Sequence, residues 1–247
     1  RRVLFRSQVG SVNLPELAWW SKFGDAQLNY LIESALKNNN NIQVAVGNVQ
    51  SAAGQLKQIE YSWIPTISAL AGYSNTSNNF LNSGYGVGFL PNYSLNVFQL
   101  INSTKFAKAN LAAVKAAQDT VRLTVISQTS GGYFAYLGQD YLLTLQKQLV
   151  DDLAQLLRLG KIQYDKGLIS LYTLQSYEQQ YETAQAQVPI LQNNVVAAQN
   201  ALRLLLNENP GEIKRGIDFM AIKSDGIVPV NLPSQVLKNR PDVQQSE

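Results

Sequence analysis

The sequence predicts a mainly α protein with one β-hairpin, organised around a long antiparallel coiled-coil helical hairpin. Three observations carry that expectation. From Leu174 to Leu205, apolar residues recur at alternating spacings of three and four, the seam of a coiled coil. From Ile67 to Val97 the period drops to two, in two runs of about ten residues, the length at which a tilted strand crosses a bilayer in a barrel. No apolar run reaches ~18 residues, so no stretch reads as a membrane-spanning helix.

Composition narrows the function. Histidine and cysteine are both absent, which excludes zinc and iron–sulfur centres, thiol nucleophiles and Ser-His triads. The net charge of +3 is scattered along 247 residues, without the basic stripe that nucleic acid requires. Charged residues make up only 15%, and amides supply much of the polarity. Amide-rich faces can line a water-filled space without imposing a strong field. Asp151 and Asp152 are the one adjacent carboxylate pair, and they read as a solvated helix face rather than a catalytic dyad.

Residues 1–7 (RRVLFRS) are read as a leader foreign to the rest of the chain, similar to a translated adaptor primer. Residues 8–65 form the N-terminal helices. Asp25 is placed to cap a first helix that buries Leu28, Leu31, Ala35 and Leu36. The asparagines at 38–41 interrupt it. A second helix follows with Ile42, Ala45, Val46, Val49, Ala52, Ala53, Leu56 and Ile59 on one face, and Pro65 ends it.

Residues 66–101 hold the two strands and their polar loop. In the first, Ile67, Ala69, Ala71 and Tyr73 alternate with Ser68, Leu70, Gly72 and Ser74. In the second, Tyr85, Val87 and Phe89 lead to Tyr93, Leu95 and Val97. The membrane-facing set is expected to be Ile67, Tyr73, Phe89, Tyr93, Leu95 and Val97, with Tyr73, Phe89, Tyr93 and Phe98 as an aromatic girdle. A soluble hairpin packed on the helices is the competing reading. Either way, a lone hairpin is marginal and must join a larger sheet.

Residues 102–206 are the helical hairpin. An outgoing helix from Ser103 to Lys166 would extend roughly 95 Å at ~1.5 Å per residue. Its stripe is expected at Leu142, Leu145, Leu149, Leu153 and Leu156. The returning seam is Leu174, Tyr177, Tyr181, Ala184, Val188, Leu191, Val195, Ala198, Leu202 and Leu205. Gly131, Gly132, Gly138 and Gly160 weaken the outgoing helix or let its partner approach closely. Pro189 interrupts the bonding of the returning one. Between the arms, Gly167 suits a left-handed helix end, Lys166 the negative end of the dipole, and Ser170 the next cap. Leu168 and Ile169 are apolar at an exposed turn, so Lys166, Gly167, Leu168, Ile169 and Ser170 are either a docking tip or a plain turn.

Residues 207–236 form a connector with little periodicity. The segment Leu36–Gln43 then lines up with Leu237–Gln244, with four identities and Ile42 opposite Val243. Residues 237–247 are accordingly read as the start of a second repeat of a tandem duplication, with Pro241 at a first helical position.

Together these features resemble the outer membrane factor family, the TolC-like and OprM-like channel proteins of efflux pumps, especially the NodT-type lipoprotein branch. The resemblance rests on Trp20, Phe23, Asp25, Leu28, Leu31, Ala35, Leu36 and Asn38 near the start, and on Tyr164 through Ser170 at the tip. It also rests on Leu232, Pro233, Ser234, Leu237, Arg240, Pro241, Asp242 and Val243 at the end. It implies an outer membrane efflux protein fold and a homotrimer in which each full protomer gives four strands to one barrel in the Gram-negative outer membrane. The helices would extend into the periplasm, and their tips would meet a periplasmic adaptor joined to an inner-membrane pump. Small solutes would pass without chemistry and without a cofactor. The lipid-bearing cysteine of lipoprotein members would lie upstream, and the periplasmic gate would belong to the second repeat. Phe98, Gln99, Leu100 and Ile101 stand where many members carry a more polar strand end. A soluble coiled-coil scaffold is the alternative; it explains the heptads but not the alternating strands.

Overall fold

The computed structural model describes residues 18–74, 84–93, 96–222 and 240–246. The leader at 1–7, the loop at 75–83, Leu95, and Leu232, Pro233, Ser234 and Leu237 lie outside the described residues. In chain order the elements are α1 (Ala26–Asn38), α2 (Asn40–Glu60), β1 (Thr66–Ser74), β2 (Gly84–Asn92), α3 (Val97–Asp165), α4 (Leu171–Leu205) and α5 (Pro241–Ser246). One 3-10 turn, Trp19–Phe23, precedes α1, and another, Phe219–Ala221, follows α4. The chain divides into two compact units, Arg1–Gln43 with Asp119–Arg240, and Val44–Gln118 with Pro241–Glu247.

In the first unit, α1 starts where its cap predicts. The Asp25 carboxylate accepts from the backbone N–H of Gln27 and Leu28. Leu28, Leu31, Ile32 and Ala35 are buried, so Ile32 takes the place expected for Leu36, which is half-buried. The asparagine run has a definite task. Asn39 breaks the helix with an extended backbone, and its Oδ1 accepts from Asn41 N at the start of α2. Its Nδ2 donates to the Leu205 carbonyl at 2.8 Å, satisfying an acceptor left orphaned at the end of α4. One amide thus serves two helix ends. α2, which belongs to the second unit from Val44 onward, carries the expected face, since its eight named residues are all buried or half-buried. It ends at Glu60, five residues before Pro65, in a hydrogen-bonded turn at Tyr61–Ile64.

In the second unit, β1 and β2 pair antiparallel from Thr66 opposite Asn92 to Ser74 opposite Gly84. Directly opposed residues share a face, so Ile67, Ala69 and Ala71 lie on the side of Pro91, Phe89 and Val87. Ser68, Leu70 and Gly72 lie on the other with Leu90 and Gly88. The two alternations therefore combine into one apolar face.

The second strand is shorter than its alternation predicts. β2 stops at Asn92, Tyr93 follows it unpaired with β1, and Val97 is the first residue of α3 rather than a strand residue. The cause is local: the Asn96 side chain accepts from Gln99 N at 3.0 Å and caps a helix that begins six residues before Ser103. Phe98, Gln99, Leu100 and Ile101 are helical for the same reason.

α3 and α4 fold back on each other through a turn whose chemistry is the expected one. Gly167 has φ +74°, its N–H bonds Tyr164 O at 2.8 Å, and Leu168 N bonds Gln163 O at 2.9 Å. That pair of bonds is the Schellman arrangement, which favours glycine at the left-handed position. Ser170 caps α4 by accepting from Thr173 N. Every residue of the returning seam is buried or half-buried. The outgoing stripe is different. Leu142, Leu145, Leu149 and Leu156 are exposed, and of that set only Leu153 turns inward, to a half-buried position. The seam runs one residue later, through Leu143, Gln146, Val150, Leu153, Leu157 and Gly160. Gln146 Nε2 crosses it to the Ala184 carbonyl at 2.8 Å.

Gly160 is where the two helices crowd. A Cβ there would sit 2.7 Å from Tyr177 Cδ2. Gly160→Val should therefore lower the stability of the full-length protein by about 2–3 kcal/mol in urea unfolding, as overpacking and a β-branched residue combine. Gly160→Ala should lose less, because alanine regains about 1 kcal/mol of helix propensity. An unchanged midpoint for the valine variant would show that the seam is loose at this point. Among the described residues, no helix is long and apolar enough to cross a membrane.

Candidate functional site

Three features of the described chain are built for contact or constraint. The first is the hairpin tip. Lys166, Gly167, Leu168 and Ser170 are exposed and Ile169 is half-buried, so Leu168, at 73% exposure, is the apolar point of the turn. Leu171 and Tyr172 are also exposed and extend the apolar surface beyond the predicted five residues. Their signal in the sequence is weak: two apolar residues directly after the Ser170 cap, outside the seam. The amide positions Gln175, Gln179, Gln185, Gln192 and Asn193 are exposed along α4, and Gln199 is half-buried.

The second is the sheet. Ile67, Tyr73, Val87 and Phe89 are exposed by 60% or more. Of the six residues expected to face the membrane, Ile67 and Phe89 lie on the apolar face, and Tyr73 follows the same alternation. Tyr93 lies just past β2 and Val97 on α3, while Leu95 is outside the described residues.

The third is a buried polar clasp that sequence reasoning meets only through Asp25. Asp25 is 3% exposed, and its second oxygen accepts from Tyr133 Oη at 2.6 Å and from Ile217 N at 3.1 Å. Tyr133 Oη in turn accepts from Gly216 N at 3.1 Å. Tyr136 Oη donates to the Ile213 carbonyl at 3.0 Å, and Arg215 bridges Asp140 at 2.7 Å. One carboxylate thus ties the start of α1, the middle of α3 and the segment after α4. Burial pushes the Asp25 carboxyl upward, but four hydrogen bonds from Tyr133, Ile217, Leu28 and Gln27 favour the anion more, and the net shift is downward. Burial and the Asp25 hydrogen bond both push Tyr133 upward, so it stays a donor. Gly216 lies so close to Asp25 that a Cβ would come within 2.6 Å of its Cγ.

Among the described residues there is no group of side chains that could hold a metal ion, and the Asp25 carboxylate is occupied by its own hydrogen-bond partners. The geometry is that of a scaffold with an apolar sheet face and an apolar tip. A family model for outer membrane efflux proteins matches residues 31–208. The chain belongs to the outer membrane efflux protein family. It is 27% identical over 236 residues to the solvent efflux pump outer membrane protein SrpC of Pseudomonas putida, covering 91% of this chain and 50% of that relative. It is 26% identical over 259 residues to the cation efflux system protein CusC of Escherichia coli O6:H1, covering 98% and 54%. The chain spans about half the length of the curated relatives it matches. Among solved structures, the Campylobacter jejuni CmeC outer membrane channel superposes with a TM-score of 0.78 at 21% identity, over 99% of this chain and 54% of that one. A crystal structure of CusC gives 0.76 at 23% identity, over 92% and 54%. The efflux protein fold is therefore that of this chain: long helical hairpin and short antiparallel sheet.

Proposed function

We propose that the chain forms part of an outer membrane channel subunit of a tripartite export system, a passive conduit for small molecules. The observation that carries this reading is the sheet. Two nine-residue strands present an exposed apolar face and join helices at their open ends. In water such a face is a liability, whereas in hydrocarbon it is the favoured surface. Hydrocarbon also demands that every backbone group be paired, and two strands cannot close a ring. Oligomerisation answers that demand, and a homotrimer in outer membrane lipid fits the family. The helices would then line a periplasmic tunnel, with no reaction catalysed and no nucleic acid bound. A soluble coiled-coil scaffold leaves the apolar sheet face unexplained.

Fractionation of cells expressing the full-length protein tests the reading. It should sediment with the outer membrane, need detergent for release, and run as a trimer until boiled. A protein that stays in the soluble fraction without detergent would overturn it.

The tip at Lys166, Gly167, Leu168, Ile169 and Ser170 would dock a periplasmic adaptor protein, which links the channel to an inner-membrane pump. Of those five residues, Leu168 is the apolar side chain most available for burial. Leu168→Asp should reduce the resistance that the full-length system confers to that of a strain lacking the channel, with the trimer intact on a gel. Unchanged resistance would count against docking at this turn.

A further inference from the structure

The sheet of the second unit and the segments that flank it have a charge pattern of their own. From Tyr61 through Thr104 the sequence contains no Asp, Glu, Lys or Arg. Charge resumes on both sides at once, with Lys57 and Glu60 on α2 and Lys105 and Lys108 on α3. The fold brings those limits together: Lys108 Nζ lies 3.6 Å from Glu60 Oε1. Because Thr66 pairs with Asn92, the residues entering β1 and those leaving β2 share one end of the sheet. That end is rimmed by exposed Tyr61, Trp63, Tyr93 and Phe98. On α3, Phe98, Ile101, Lys105 and Lys108 follow at helical spacing along a single face, aromatic first, then aliphatic, then cationic. Within residues 44–118 the cations are Lys57, Lys105, Lys108 and Lys115, against Glu60 as the sole carboxylate, and α5 adds Asp242 to the same unit.

We infer that this band is a seat for anionic phospholipid headgroups. The aromatic rings would lie at the interface, and Lys57, Lys105 and Lys108 would meet the phosphates one step further from the hydrocarbon. Charge complementarity favours an anionic surface, because one carboxylate cannot offset this cluster and lysine stems reach toward headgroups while their chains stay on apolar surface. Continuity with the apolar sheet face favours lipid over a protein partner. The inference rests on the sheet lying in a bilayer.

The test reconstitutes full-length protein, in which Trp19, Trp20 and any tryptophan other than Trp63 are replaced by phenylalanine, into vesicles of equal phosphatidylcholine and phosphatidylglycerol. One lipid at a time carries bromine on its acyl chains, so fluorescence quenching reports which lipid sits at Trp63. Phosphatidylglycerol should show a relative association constant about threefold or more above that of phosphatidylcholine. The combined change Lys57→Gln, Lys105→Gln and Lys108→Gln should abolish that preference while quenching itself persists. Equal quenching by both lipids, or a preference that survives the triple change, overturns the inference. A second reporter, Val87→Trp with Trp63→Phe, separates the two claims. If it is quenched and Trp63 is not, protein covers the band and the headgroup seat is wrong. If neither is quenched, the sheet is not in lipid and the channel reading falls with it.

Discussion

Gly216→Ala should free the segment after α4 from the helices it is fastened to. The added Cβ would come within 2.6 Å of Asp25 Cγ, and the carboxylate has no slack with which to yield. It is fixed by two N–H donors at the cap of α1, by Tyr133 Oη and by Ile217 N. Relief requires either residue 216 to retreat or Asp25 to turn. Retreat pulls Gly216 N from Tyr133 and Ile217 N from Asp25, and turning uncaps the helix. Overpacking of this kind costs about 1–3 kcal/mol, and each buried donor left unpaired adds about 1 kcal/mol or more. We expect a local loss of about 3 kcal/mol, which is roughly a hundredfold in the population of the detached form. Trypsin reads this directly, because Lys214 and Arg215 flank the clasp. Cleavage after these residues in the folded full-length protein should accelerate by about that factor. Cleavage at the wild-type rate would mean that residue 216 has more room than the structure gives it.

That glycine is not legible in the sequence, and the reason is separation. Asp25 reads as a helix cap because capping is settled within three residues. Gly167 and Ser170 read as the turn for the same reason. The partners of Asp25, however, lie 108 residues away at Tyr133 and 192 away at Ile217, where no period or motif links them. The returning helix is legible because it has one apolar heptad register. The outgoing helix has two, one residue apart: Leu142, Leu145, Leu149 and Leu156 against Leu143, Val150, Leu153 and Leu157. A sequence with two good stripes does not say which one meets the partner, and the leucine-rich stripe is the exposed one. β2 misleads differently. Alternation continues past Asn92, but the Asn96 cap ends the strand, a local signal that the period outweighs. The charge-free window between Glu60 and Lys105 is equally visible, and its meaning emerges once the register puts both limits at one end of the sheet.

Asp25→Asn should weaken the same clasp and remove its acid dependence. An asparagine keeps one acceptor oxygen but turns an NH2 toward N–H and O–H donors that the carboxylate had satisfied. At pH 7 the variant should lose about 2–4 kcal/mol locally, as donors in a buried site go unpaired. In the wild type, the Asp25 pKa is lower folded than unfolded, so folding releases this proton more readily. The stabilisation is therefore complete above the unfolded carboxyl value of about 4 and is lost as pH falls through the lower folded one. Tyr133 sets the opposite limit. Its pKa is raised by burial and then by the Asp25 hydrogen bond, so its contribution is complete below the unfolded phenol value of about 10 and declines above it. Amide hydrogen exchange at Gly216 and Ile217 should accordingly show flat protection, corrected for intrinsic rates, from about pH 5 to about pH 9 in the wild type. Below that range protection should fall in the wild type, whereas Asp25→Asn should be less protected throughout and show no acid step. A wild-type step near neutral pH would mean that Asp25 is held protonated by its burial, and that the hydrogen bonds do not outweigh desolvation as the geometry requires.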